Sequence, residues 1–138
     1  MQIAILSKNY ETKYEDFVLK HTKSLFYYQL SYRNLLKELL KCEDEYYIFL
    51  INEEIKAVLP LLYKDGKYGK VYNSLAYYGA NGAILSENEL YYNELLKHYN
   101  KVIEKSAVST YVENPLDIHH QKPNHDYVSE RVCLIKMK

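Results

Sequence analysis

Tryptophan is missing from this chain, and cysteine, proline and glycine are scarce: 138 residues carry two Cys, three Pro and four Gly. Two cysteines cannot staple a secreted mini-domain. With neither a signal-peptide pattern nor an apolar run long enough to cross a bilayer, the expectation is a cytoplasmic protein with reduced thiols and no membrane span. Cys42, at the end of a predicted helix, and Cys133, in a predicted strand, read as packing residues. A charge excess is missing too: eighteen basic and eighteen acidic residues, interleaved, give a formal net charge of zero. That removes the electrostatic footprint general nucleic-acid binding needs. There is no repeat, low-complexity tract or linker, and the length suits a single domain spanning 1–138 that buries roughly two thirds of its unfolded surface.

Tyrosine is abundant instead, with seventeen copies against three Phe. The plain account is that tyrosines replace Phe and Trp in the core and leave their hydroxyls near the surface. Along the chain, Gln2–Leu6 opens a sheet, and Thr12-Lys13-Tyr14-Glu15 has capping-box spacing for a short helix through about Lys20. A second helix is expected from about Ser31, burying Tyr32, Leu35, Leu36, Leu39 and Leu40, with Arg33, Lys37 and Glu38 pointing elsewhere. Tyr46–Ile51, Ile55–Tyr63 and about Tyr68–Asn73 read as strands joined by turns at Asn52-Glu53-Glu54 and Asp65-Gly66. Pro60 lacks an N–H, so a bulge or an unpaired edge is expected there.

Ser86-Glu87-Asn88-Glu89 is a second capping box, with Leu85 and Leu90 spaced as a hydrophobic staple, opening a helix to about Lys105. Its buried stripe is Leu95, Leu96, Tyr99, Val102 and Ile103. Ser109–Glu113 should then be a strand parallel to a neighbour, because a helical crossover precedes it. The polar stretch Asn114–Asp126 separates it from a last strand at about Tyr127–Met137. These elements predict an α/β (α+β) domain with a mixed, mostly antiparallel central sheet flanked by helices on both faces.

One segment is visibly prepared for something. Tyr72–Leu85 sets Asn73, Ser74, Tyr77, Tyr78 and Asn81 around Gly79 and Gly82, which permit positive φ or close approach to the backbone. A structural turn is the competing reading. His119, His120 and His125 with Asp117 and Asp126 form the only cluster of metal-capable side chains. Adjacent histidines on a loop do not converge easily on one ion and the spacing fits no structural zinc pattern, so no metal is expected and a solvated loop is the better account. Cys42 and Cys133 lack an oriented histidine partner, Ser74 is not in a nucleophile elbow, and Glu43-Asp44-Glu45 reads as a solvated turn.

The helix at Tyr14-Glu15-Asp16-Phe17-Val18, the Phe26–Leu40 segment with Gln29 and Tyr32, Val58–Leu61, Tyr72–Leu85 and Asn114-Pro115-Leu116 together resemble the first domain of the Fem-type (FemAB-like) transferases. These are two-domain members of the GNAT acyltransferase-like group. The resemblance implies a GNAT-like fold and a role in bacterial acyl or aminoacyl transfer to a cell-envelope precursor, a peptidoglycan peptide or a surface sugar. In that family the first domain helps form the acceptor cleft and the second carries most residues facing the reaction. The expectation is therefore an acceptor-binding domain, not active alone, whose second GNAT-like domain is absent from this chain and whose partner is that missing domain or a second copy in a homodimer. Acyl-CoA or aminoacyl-tRNA would be the donor for the complete enzyme.

Ordinary GNAT enzymes hold the acyl-CoA pyrophosphate on a Gln/Arg-x-x-Gly-x-Gly/Ala loop before a helix. At Tyr78-Gly79-Ala80-Asn81-Gly82-Ala83 the leading Gln or Arg is missing and no basic residue is near, so no cofactor is expected on this domain. The residues expected to meet a polar acceptor are Asn73, Ser74, Tyr77, Tyr78 and Asn81, with Arg33 for an anionic group. A non-catalytic interaction or dimerisation module is the alternative.

Overall fold

A computed structural model of the chain describes residues 1–75 and 82–128. Its strands are β1 (Gln2–Ile5), β2 (Glu43–Asp44), β3 (Tyr47–Ile51), β4 (Glu54–Leu59), β5 (Leu62–Gly66), β6 (Gly69–Ser74), β7 (Leu85–Ser86) and β8 (Val108–Tyr111). Its helices are α1 (Glu11–Lys20), α2 (Leu30–Leu40) and α3 (Glu89–Glu104). The fold is mixed α+β, and the central sheet is split into two four-stranded sheets ordered β1-β3-β4-β7 and β2-β5-β6-β8. Every pairing is antiparallel except β6 with β8, the pair spanned by the α3 crossover.

A single long hairpin ties the two sheets together. Its first arm is β2 then β3, its second β4 then β5, and the register Tyr47↔Leu59 continues unshifted into Asp44↔Leu62. Between them the arms cross from one sheet to the other, held by the Glu45 N–H donating to the Leu61 carbonyl at 2.8 Å. Pro60 lies at this crossing, where its missing donor costs no ladder bond. The bulge itself lies elsewhere, between Phe49 and Leu50. The turn at Asn52-Glu53 places both residues at positive φ, 50° and 64°, the geometry of a two-residue hairpin loop matched to strand twist.

Alternation along β3 and β4 divides the core by face. Ile48, Leu50 and Val58 pack with Tyr14 and Val18 of α1 and Leu30 and Leu36 of α2. Tyr47, Phe49, Ala57 and Leu59 pack beneath Tyr92, Leu95, Leu96 and Tyr99 of α3. The tyrosines go deeper than expected. Tyr14, Tyr28, Tyr46, Tyr92 and Tyr99 are among the largest fully buried side chains, so several hydroxyls are inside rather than near the surface. Tyr14 donates to the Tyr28 carbonyl at 2.7 Å, whereas the Tyr46 hydroxyl has no hydrogen-bond partner.

Helix starts depart from the capping patterns. Thr12 lies inside α1, and Glu15 instead accepts from the Leu30 N–H at 3.0 Å, putting a carboxylate on the N-terminus of α2, where the helix dipole favours it. Ser86 belongs to β7, and the cap of α3 is Asn88, whose side chain accepts from the Tyr91 N–H at 2.9 Å. Leu90 is exposed, so the Leu85–Leu90 staple does not form. The α2 face is rotated as well: Leu30, Tyr32, Arg33 and Leu36 are buried, while Leu35 and Leu39 face out. Residues 127–128 are not in a strand, and the rest of the expected last strand, with Cys133, lies outside the described residues.

Candidate functional site

The split sheet has its most unusual construction between β6 and β7. From the pair Leu62↔Asn73 to the pair Val58↔Leu85, the long hairpin arm advances four residues and the opposing chain twelve. Eight residues are therefore extruded from what would otherwise be one continuous strand. The excursion begins at the carboxyl end of β6, beside the carboxyl end of its parallel partner β8, the position where open α/β sheets place ligands.

The neck of this excursion is tightly tied. Ser74 is fully buried, and its Oγ accepts from the Ala83 N–H at 2.9 Å. The Tyr28 hydroxyl donates to the Ala83 carbonyl at 2.9 Å, and the Tyr111 hydroxyl accepts from the Ile84 N–H at 3.0 Å. Burial pushes both tyrosine hydroxyls well above their ordinary pKa, so they remain protonated. Leu75 and Ala83 sit at φ of 57° and 113°, the left-handed region that side chains disfavour. Gly82 is required for a different reason: a Cβ there would lie 2.3 Å from the Ser74 carbonyl oxygen.

Of the residues expected to meet an acceptor, Asn73 and Ser74 are adjacent at this neck, Asn73 half-buried and Ser74 occupied in tying the backbone. Tyr77, Tyr78 and Asn81 lie outside the described residues. Arg33 is not at the neck. It is buried beneath α2, pairing with Glu11 at 3.2 Å and Asp44 at 3.7 Å, donating to Asn34 at 3.0 Å and lying 5.8 Å from the Tyr46 ring centroid. The register Asp44↔Leu62↔Asn73 sets its partner two strands from Asn73.

A second polar group adjoins the neck, and sequence reasoning assigned it to solvent. Asn114 and Asp117 are buried, and His119 is nearly so. Asn114 donates to the Lys23 carbonyl and accepts from the Leu116 N–H, both at 2.9 Å, an Asx turn that folds the loop inward. The His119 ring stacks on Tyr92 with centroids 3.7 Å apart and planes 7° from parallel. One ring nitrogen meets Glu89 and the other lies 3.1 Å from Asp117, which also pairs with Lys23 at 3.4 Å.

Asp117 Oδ2 and His119 Nε2 nevertheless make no hydrogen bond among the described residues. The bond from His119 holds the Glu89 carboxyl below its ordinary range, while burial pushes the Tyr92 hydroxyl up to about 12. Further along, His125 meets the Tyr99 hydroxyl at 3.0 Å. The Asn114–Asp126 stretch is thus anchored at Asn114, Asp117 and His119, which turn inward, while most of its other residues, His120 and Asp126 among them, are exposed as a solvated loop would be. Asn114-Pro115-Leu116 was the one sequence signal for it. Among the described residues no group of three or more His, Cys, Asp or Glu could hold a metal ion.

Chemically, the neck is a set of side-chain hydrogen bonds to the backbone, and Asp117, His119 and Glu89 form a row of charged contacts whose Glu89 end is exposed to solvent. Glu89 opens α3, and Glu87 just before it pairs with Lys56 at 3.6 Å. The helix N-terminus nearest the neck therefore carries acids. No helix among the described residues is long and apolar enough to cross a membrane.

No family model matches the sequence, and no match appears among curated proteins. Solved structures do resemble it. A crystal structure of FemX aligns with a TM-score of 0.57 at 16% identity, over 78% of this chain and 25% of that one. A crystal structure of a probable acetyltransferase aligns with a TM-score of 0.53 at 14% identity, over 99% of this chain and 100% of that one. The chain thus has a Fem/GNAT-like fold, and it spans a quarter of the length of FemX.

Proposed function

We propose that this chain is the acceptor-binding, GNAT-like domain of an acyl- or aminoacyl-transferase acting on a cell-envelope precursor, a peptidoglycan peptide or a surface sugar. The observation that carries the reading is the eight-residue excursion at the carboxyl ends of the parallel pair β6 and β8. In this reading Tyr77, Tyr78 and Asn81 meet the acceptor together with Asn73, which lies beside the neck. The likeness to FemX and to a probable acetyltransferase supports the reaction class.

The donor is assigned to the complete enzyme. A phosphate-cradling helix N-terminus works by positive potential, and the acids Glu87 and Glu89 at the start of α3 oppose that use. Titration calorimetry of the purified chain tests both halves of the proposal. It should show saturable binding of a soluble peptidoglycan-precursor peptide or its sugar and none of acetyl-CoA. Tight acetyl-CoA binding with no acceptor binding would overturn the assignment.

A second reading, a non-catalytic interaction or dimerisation module, is favoured by one observation: Phe26, Leu35 and Leu39 are exposed along α2 and the turn before it. Light scattering separates the two. A monomer that binds the acceptor supports the first reading, and a dimer that does not bind it supports the second.

A further inference from the structure

The acceptor reading leaves the anion question open at the neck, because Arg33 is already committed to Glu11 and Asp44. Most other well-placed cations are committed too: Lys23 to Asp117, Lys37 to Asp44, Lys56 to Glu54 and Glu87, and Lys122 to Glu113. Two surface grooves among the described residues are lined by lysines. One, of about 560 Å³, sets Lys37 and Lys41 against Glu38 and Glu43, so its charges balance. The other, of about 400 Å³, lies between the C-terminal turns of α3 and the face of β6, and it sets Lys70, Lys101 and Lys105 against a single acid, Glu45.

That acid is heavily covered. Its Oε2 accepts from the Tyr47 and Tyr72 hydroxyls at 2.8 Å each, and its Oε1 lies 3.4 Å from the Lys70 ammonium. Lys70 is itself braced 4.2 Å above the Tyr63 ring. Burial and the bonds to Glu45 raise both tyrosine pKa values, so the hydroxyls stay protonated and keep donating to the carboxylate. Lys101 and Lys105 stand one turn apart on the same helix face, and neither has an ion-pair partner among the described residues. Lysines at a helix C-terminus also complement its dipole. That role does not require them to border a groove whose only carboxylate is already covered.

We propose that this groove binds a phosphorylated small molecule, with Lys101 and Lys105 grasping the phosphate from α3 and Lys70 meeting it from β6. Its surplus of two positive charges matches a phosphate group, and its volume lies within the range of small-molecule sites. The groove shares strand β6 with the neck but none of its residues: Lys70 is four residues, roughly 13 Å, before Ser74 along the strand, and Lys101 and Lys105 lie at the end of α3 away from the neck. The inference therefore does not rest on the acceptor reading.

Pyrophosphate is a direct probe. Titrated into the ¹⁵N-labelled chain at low ionic strength, it should produce saturable amide shifts at Lys70, Tyr72, Lys101 and Lys105. The double variant Lys101→Glu with Lys105→Glu, both exposed, should raise the Kd at least about tenfold. A control with the same charge change on the α1 side of the sheet, Lys8→Glu with Lys20→Glu, both exposed, should leave it within about twofold when both pairs are compared at about 0.15 M ionic strength. The same amide spectra report that each variant is folded. Absence of saturable shifts, or equal weakening by the control pair, would overturn the proposal.

Discussion

Two polar stretches of this molecule use their side chains in opposite ways. Around the neck, Ser74, Tyr28 and Tyr111 spend their hydroxyls on the backbone at Ala83 and Ile84. In the 114–125 loop, Asn114, Asp117 and His119 are drawn inside, and two buried atoms, Asp117 Oδ2 and His119 Nε2, are left without a hydrogen-bond partner. A polar segment with two glycines thus serves as a frame at its ends, while a largely exposed loop sends three polar side chains into the interior as anchors. Polarity in a sequence records what a side chain can bond; its partners decide which way it turns.

The comparison breaks most readily at Gly82. Gly82→Ala would drive a methyl group into the Ser74 carbonyl and should cost about 3 kcal/mol by denaturant unfolding; a near-neutral result would mean the neck can open. Next comes Asp117→Asn, which removes the charge facing Lys23 and His119. Partial exposure of Lys23 moderates the loss to about 2 kcal/mol, whereas a solvated loop would give a change within about 0.5 kcal/mol. Ser74→Ala leaves the Ala83 N–H without its acceptor and should cost about 1 kcal/mol.

The smallest effect is in acid. Burial holds the imidazoles of His98 and His125 below their ordinary value, with Lys101 adding to the depression at His98, and Glu45 and Asp126 respectively pulling the other way. A depressed histidine is neutral in both states above about pH 6.5. As pH falls below that, the unfolded chain takes up the proton first, so stability declines. The Tm should therefore fall between pH 7.5 and 5.5, and His125→Asn should flatten part of that fall. Glu89 acts in a separate window, because a lowered carboxyl contributes stability above its unfolded value, about 4.3, and loses it as pH falls through the folded one.

The succession of the longer elements, the parallel β8 and most of the buried stripe of α3 were legible because each depends on local periodicity and on the helical crossover, whereas the two-residue strands β2, expected as a solvated turn, and β7 are too short to show a period. The sheet split was visible only as Pro60, a residue that cannot donate to a ladder. Burial of Arg33 was not legible. Its helical spacing places it beside the apolar face, and only the approach of Glu11 and Asp44 from other elements makes burial of a guanidinium affordable. The Thr12–Glu15 pattern misled for the same reason, since Glu15 caps α2 rather than its own helix. The polar loop could not be assigned from composition, because nothing local indicates that His119 stacks on Tyr92.

The account turns on the excursion between β6 and β7 acting as an acceptor wall. The most direct measurement is calorimetric binding of a soluble peptidoglycan-precursor peptide or its sugar to the wild-type chain and to the double variant Tyr78→Ala with Asn81→Ala, with unfolding curves recorded in parallel. We predict that the double variant keeps its stability and binds the acceptor at least about tenfold more weakly, equivalent to the loss of roughly 1.4 kcal/mol of contact energy. Unchanged acceptor affinity in a folded double variant would contradict the account.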